Sequence, residues 1–360
     1  MASDKILIIG PSWVGDMVMA QSLFKTLKRE RPHCQIDVLA PQWSFPLLER
    51  MPEVSEGISM PVGHGALELS TRKALGKSLQ SKGYTEAIVL PNSLKSALVP
   101  FFAKIPKRTG WLGEVRYGLL NNRRKLVKPD FPLMIDRFNA LAFTKSHVKT
   151  AKDFSAKHPI PELITNADDV NTAISEMTLN RDKPVLALCP GAEFGEAKRW
   201  PAEHYATVAQ QKLNEGWQVW LMGSTKDVEA GQAIVDLIHT EQQGDCHILA
   251  GKTRLDQAID LLSVADAVVS NDSGLMHISA ALHRSLVVVY GSSSPKFTPP
   301  LSDNTAIVQT DLECSPCFKR VCPLGHGDCL KKLSPNTVIE SLAKLATNST
   351  VEAINLAHPA

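Results

Sequence analysis

The sequence predicts a parallel α/β protein made of two sheet-and-helix halves. Three observations lead there. Short β-branched runs alternate with helix-period patterns along the chain. A polar, proline-containing stretch from about 150 to 182 interrupts that alternation, which then resumes. The length of 360 residues, with 44% apolar and 21% charged, suits one large or two ordinary domains with cores of their own.

In the first half, KILII (5–9) opens the chain as a strand, and further strands are expected at 35–39 and 86–90. Helices are expected near 17–30, 67–82 and 94–103. After the junction come a strand VLALC (185–189), a helix from Pro201 to about Glu215, a strand WQVWLM (217–222) and a helix near 227–240. CHIL (246–249), a helix near 255–264, AVVS (267–270), a helix near 274–283 and LVVVY (286–290) complete the series. The domains expected from this are 1–165 and 183–335, with 336–360 as a terminal helix and tail. No low-complexity tract or short-period repeat is present.

Several classes are disfavoured. A net charge of +2 calls for no polyanionic partner overall. The first apolar run is too short for a signal-peptide core, and none approaches the roughly 20 apolar residues of a membrane span. A cytoplasmic protein is expected. Seven cysteines, an odd number with three of them scattered (Cys34, Cys189, Cys246), fit a reducing compartment better than a disulfide framework.

Ligands of open parallel sheets bind beyond the carboxyl ends of the strands, so the strand-to-helix loops are read first. In IIGPSWVGDM, Gly10 and Gly15 have the spacing of a phosphate-cradling loop, but Asp16 stands where a phosphate-binding Lys belongs. An acid there repels phosphate. It either caps the helix starting near Met17 or takes a proton. CPGAEFGEAKRWP (189–201) combines Gly191 and Gly195 with Lys198 and Arg199 beside a helix start, where cations oppose the helix dipole unless an anion lies between. LMGSTKD (221–227) offers Ser224, Thr225 and Asp227 for capping or binding. In VVSNDSGLMHISAAL (268–282), Asp272, Ser273 and Gly274 open a helix whose first amides can meet an anion, with His277 about a turn further on.

Two stretches stand apart. Residues 104–128 carry eight Lys or Arg against one Glu, with Trp111 and Tyr117 interleaved. Such a run fits nucleic acid, an anionic membrane surface, an acidic sugar or a merely solvated face. Residues 314–329 hold Cys314, Cys317, Cys322 and Cys329, compact enough for four thiolates to reach one Zn²⁺ or an iron–sulfur cluster, with His326 as a substitute ligand. Free or paired thiols are the other reading.

GPSWVGDMVMAQSL, LPNSLKSALVPFFAKIPKRTGWLGEVRYGLLN, PGAEFGEAKRWP and NDSGLMHISAAL together resemble the ADP-heptose:lipopolysaccharide heptosyltransferases, from the first strand to about residue 300. The resemblance implies a GT-B fold, two Rossmann-like doubly wound domains facing each other across a cleft, with a final helical segment that crosses back to the first. It implies inverting transfer of L-glycero-D-manno-heptose from ADP-heptose to the first heptose of the inner core, heptosyl-Kdo2-lipid A, at the cytoplasmic face of the inner membrane. No cofactor, essential metal or nucleic acid is implied. Asp16 matches the proposed base and Lys198 the diphosphate-binding lysine. Gly191, Ala192, Ser224, Thr225, Asp272, Ser273, Gly274 and His277 fall to the donor, with only a general adenosine-binding role implied around Ser224 to Asp227 and around Lys252 and Thr253. Arg108, Arg116 and Arg123 are the acceptor candidates. Another nucleotide-sugar enzyme of the same fold and a non-catalytic nucleotide-binding protein are the rival readings. A NAD-dependent oxidoreductase is disfavoured because the first loop lacks the G-x-G-x-x-G fingerprint.

Overall fold

The computed structural model describes residues 4–63 and 65–357, without the side chains of 348–357. The tail residues 358–360 lie outside that range. The chain forms two compact units, Met1–Ile164 with Lys296–Thr298, and Thr165–Pro295 with Pro299–Ala360.

The first unit is built on six strands: β1 (Lys5–Ile9), β2 (Gln35–Ala40), β3 (Glu56–Ser59), β4 (Glu86–Val89), β5 (Lys107–Trp111) and β6 (Asn122–Arg124). All pair in parallel in the order β3-β2-β1-β4-β5-β6. β1 is an unbroken apolar run because parallel strands at the centre of a sheet are covered on both faces, and Ile6, Leu7 and Ile8 are fully buried. Phe297 also belongs to this unit. Its carbonyl accepts the Met134 N–H at 3.0 Å, and its ring lies under the Arg137 guanidinium.

The second unit repeats the plan with β7 (Val185–Cys189), β8 (Gln218–Leu221), β9 (Cys246–Ile248), β10 (Ala267–Asn271), β11 (Ser285–Tyr290) and β12 (Thr305–Gln309). Their order, β12-β11-β10-β7-β8-β9, is again parallel throughout and is that of the first sheet with each strand advanced by six. Each sheet therefore reverses direction at one place, between β1 and β4 and between β7 and β10, and such a reversal opens a crevice at the strand ends. The closing helix Pro335–Ala357 lays Val338, Leu342 and Leu345 into the core of this unit.

Four strands escape the sequence reading: β3, β5, β6 and β12. β3, β6 and β12 are edge strands with exposed positions, and β5 and β6 hide in the basic run. The helix expected at 94–103 opens as a 3-10 turn over Leu94–Ala97. The stretch read as a junction holds a helix, Ala167–Glu176, which packs against the helix Leu255–Ser263 of the second unit. The first helix spans Val14–Glu30 and is preceded by Trp13 at the N-cap, so Asp16 is the third helical residue and not the cap. No helix among the described residues is long and apolar enough to cross a membrane.

Candidate active site

The crevice of the second sheet is formed by the loops that follow β7 and β10, and these carry the predicted donor residues. Lys198 reaches from the first loop to Asp272 at the end of β10, with Nζ and Oδ2 2.6 Å apart and side chains only 17% and 6% exposed. The pair keeps a cation in the crevice while neutralising an acid that would otherwise repel a phosphate. Ser273 caps the helix Gly274–Ala281 by accepting the Met276 N–H, which leaves the Gly274 and Leu275 amides at the positive end of the dipole. His277 is buried beside them. Burial holds its pKa down to about 4; Asp272 pulls it up and Lys198 adds to the depression. The ring is therefore neutral at physiological pH.

The loop after β8 is tied to the same crevice. Asp227 accepts hydrogen bonds from the Ser224 N–H and Oγ, both at 2.8 Å, and Ser224 Oγ accepts from the Lys226 N–H. Ser224 is thus a cap, and Thr225 beside it is exposed. A Cβ at Gly191 would sit 2.5 Å from the Asp227 carboxylate, so glycine there lets the two loops meet. Ala192 follows it, buried.

Three further participants carry no strong sequence signal. Asn271, the last residue of β10, is fully buried and bonds both feet of the Lys198 loop. The ring of Phe194 has Lys198 Nζ 5.1 Å from its centroid and the Arg320 guanidinium 5.5 Å from it. The Arg320 carbonyl accepts the Ala197 N–H at 3.0 Å. The polar pair Ser270 and Asn271 ending the strand AVVSN is the one hint the sequence gives of Asn271.

In the first unit, Asp16 is half-buried in the first turn of its helix, where the dipole favours the carboxylate. The arginines divide. Arg116 does not present a surface: it is 0% exposed, and its guanidinium donates to the carbonyls of Pro91 (2.7 Å) and Trp111 and to Ser96 Oγ (3.2 Å). The expectation that it touches an acceptor gives way to a role pinning the loops after β4 and β5. Burial lowers its pKa to about 10, which leaves it charged. Arg108 is half-buried and donates to the Leu119 and Ile105 carbonyls, both at 2.6 Å. Arg123 is exposed and lies over the ring of Tyr117, 5.5 Å from its centroid.

The four clustered cysteines line one cavity of about 410 Å³ together with His326, Arg199 and Glu196. Backbone amides of Gly327 and Leu324, then Gly325 and His326, hold the Cys322 thiol below its ordinary pKa. Burial pushes Cys329 up, helped by Cys317, Cys322 and Cys314. Among the described residues no three His, Cys, Asp or Glu side chains stand close enough to hold a metal ion.

The chain is similar to lipopolysaccharide heptosyltransferase 2 of Salmonella typhimurium, 55% identical over 305 residues that cover 85% of this chain and 88% of that one. It is 51% identical to lipooligosaccharide heptosyltransferase 2 of Haemophilus influenzae, covering 84% and 88%. The solved structure of E. coli ADP-heptose LPS heptosyltransferase II superposes with a TM-score of 0.87 at 48% identity, over 96% of this chain and 99% of that one. The fold is accordingly of the GT-B type. The model of glycosyltransferase family 9 (heptosyltransferase) matches residues 72–327, and with relatives this similar over most of its length the chain belongs to that family.

Proposed function

We propose that this glycosyltransferase moves L-glycero-D-manno-heptose from ADP-heptose to the first heptose of the lipopolysaccharide inner core, heptosyl-Kdo2-lipid A. The observation that carries the donor half is the part-buried Lys198–Asp272 pair at the mouth of a serine-capped helix. The acceptor half is supported by the resemblance to heptosyltransferases 2 over most of the chain.

The reaction is a single displacement with inversion. Asp16 takes the proton of an acceptor hydroxyl while that oxygen forms its bond to the anomeric carbon of the donor. The bond from that carbon to the β-phosphate oxygen breaks with its electron pair on the leaving ADP. Lys198 and the amides at Gly274 receive the charge that develops there. Asp272 orients heptose hydroxyls once Lys198 turns to the diphosphate, and neutral His277 closes the crevice without adding a charge. Thr225, Lys252 and Thr253 fall to the adenosine, and Ser224 holds that loop in shape. On the acceptor side Arg123 is the exposed cation of the three candidates and presents the ring of Tyr117 with it. The lipid of the acceptor puts the reaction at the cytoplasmic face of the inner membrane, with the enzyme in the cytoplasm or peripheral on that face.

The test is direct. Purified protein incubated with ADP-heptose and monoheptosylated Kdo2-lipid A should release ADP and add the mass of one heptose to the acceptor. Consumption of a different nucleotide sugar in place of ADP-heptose would move the chain to another activity, and salt-dependent nucleic-acid binding without ADP release would make it a binding protein.

A further inference from the structure

From the bonds that tie the two sides of the second sheet's crevice together, we infer that Asn271 is a positioning residue: its amide closes the Lys198 loop at both feet and so sets where the Lys198 ammonium stands. The inference rests on the reading of Lys198 as the donor's diphosphate contact.

Asn271 ends β10 at the point where the sheet reverses, beside β7. Its Nδ2 donates to the Pro190 carbonyl at 2.6 Å, and at 3.5 Å to that of Gly191, where the loop leaves β7. Its Oδ1 accepts the Trp200 N–H at 3.1 Å, where the loop ends, and the Tyr205 hydroxyl at 3.0 Å, one turn into the next helix. Tyr205 in turn reaches back to the Cys189 carbonyl at 3.3 Å. The next residue along the chain, Asp272, holds the Lys198 ammonium itself. One short segment at the end of β10 thus fixes the beginning, the end and the working side chain of the loop.

The chemistry of the network requires an amide. A carbonyl on one side demands a donor, and an N–H and a hydroxyl on the other demand an acceptor. Among side chains of that length, only Asn offers both without taking up a proton. In Asn271→Asp the shape is kept, but an ionised carboxylate faces the Pro190 carbonyl with no proton between them, and the bond returns only at the cost of holding the acid protonated at the assay pH. The loop foot must then separate, and Lys198, eight residues from one foot and two from the other, moves with it. A displacement of about 1 Å at a charge-stabilising group can cost about a hundredfold in rate.

Four proteins decide the matter: the parent, Asn271→Asp, Lys198→Ala and the double variant, assayed at a temperature where each is folded by circular dichroism. Val268→Ala, which opens a cavity on the face of the same strand opposite to Asn271, is the control for lost stability alone. We expect Asn271→Asp to lower kcat at least tenfold and to weaken ADP binding measured by calorimetry, with the KM for the acceptor unchanged and Val268→Ala close to the parent. We also expect the double variant to be no slower than Lys198→Ala, because residues acting through one another are non-additive. Losses that add in the double variant, or a loss in Asn271→Asp no greater than that in Val268→Ala at equal stability, would reduce Asn271 to a fold-holding residue. Unchanged kinetics and ADP binding in Lys198→Ala would instead overturn the donor-site reading, and this inference with it. Should Asn271→Asp not fold, Tyr205→Phe removes the one hydroxyl that Asn271 Oδ1 and the Cys189 carbonyl share. It is expected to slow turnover a few-fold with the same non-additivity, and parental kinetics there overturn the inference.

Discussion

Side-chain chemistry at single positions makes two predictions that do not depend on knowing the substrate. His277 is held neutral by burial, at a pKa of about 4, while the unfolded chain has an ordinary histidine near pH 6.5. As pH falls below about 6.5 the unfolded chain takes up a proton that the native chain refuses. Stability contributed by the neutral ring is therefore whole above that value and is lost as pH falls toward 4, with a slope approaching about 1.4 kcal/mol per pH unit. Urea unfolding at pH 7.5 and pH 5 should show this slope, and His277→Gln should flatten it; equal slopes would mean the ring gains a proton in the native protein. Arg116 supplies the second case. Its guanidinium holds the carbonyls of Pro91 and Trp111, so Arg116→Met keeps most of the volume and leaves those acceptors unmet. We expect a loss of at least about 2 kcal/mol in unfolding free energy. Unchanged stability with a raised acceptor KM would return Arg116 to the acceptor surface.

Elements were legible in the sequence in proportion to how fully they are buried. β1, β7 and β10 read from their apolar runs to within a residue, since a parallel strand at the centre of a sheet leaves no face for polar residues. β3 (EGIS) and β6 (NRR) are short edge strands with little apolar content, and nothing in their composition separates them from loop. The basic run misled for a related reason. Sequence shows that an arginine is present but not whether its partner is water, a ligand or a backbone carbonyl, and Arg116 and Arg124 both bond carbonyls inside the protein. In the crevice of the second sheet the charged groups were legible and the neutral one bonded to both feet of their loop, Asn271, was not, because a buried amide leaves no charge pattern. The cysteine segment between β12 and the last helix shows the same boundary. Four thiols could be counted, yet their reactivity depends on amides only the fold supplies. Those amides lower the Cys322 thiol, whereas burial raises Cys189 and Cys246 to about 12. Substoichiometric iodoacetamide at pH 7.5 should therefore alkylate Cys322 first and leave Cys189 and Cys246 unmodified, as peptide mass mapping would read. Preferential labelling of Cys329 would contradict this ordering.

Across the whole molecule the two units repeat one sheet order yet set different groups after their first strands: an acid, Asp16, in the helix turn that follows β1 and a cation, Lys198, in the loop that follows β7. That asymmetry divides the proposed work into proton removal by the first unit and charge reception by the second, and the division can be measured by a change confined to the first. Asp16→Asn preserves size at the third position of a helix that Trp13 precedes without a side-chain cap. The loss of a favourable charge at the helix N-terminus costs about 0.3–1 kcal/mol, too little to unfold a domain of this size. Proton removal is a different matter, since a general base contributes about 10²- to 10⁴-fold. The helix dipole weakens a carboxylate as a base, while a partly desolvated position strengthens it, and under either balance an amide cannot take the proton at all. Turnover should fall at least about a hundredfold while the affinity for ADP stays within twofold of the parent, because the groups proposed to hold it belong to the second unit. Rate and calorimetric affinity measured on the same preparation separate the outcomes. A variant that transfers heptose within a few-fold of the parent rate would leave Asp16 a helix-terminal charge and send the search for the base to other residues. A variant that loses ADP binding along with turnover would show that the first unit takes part in holding the donor.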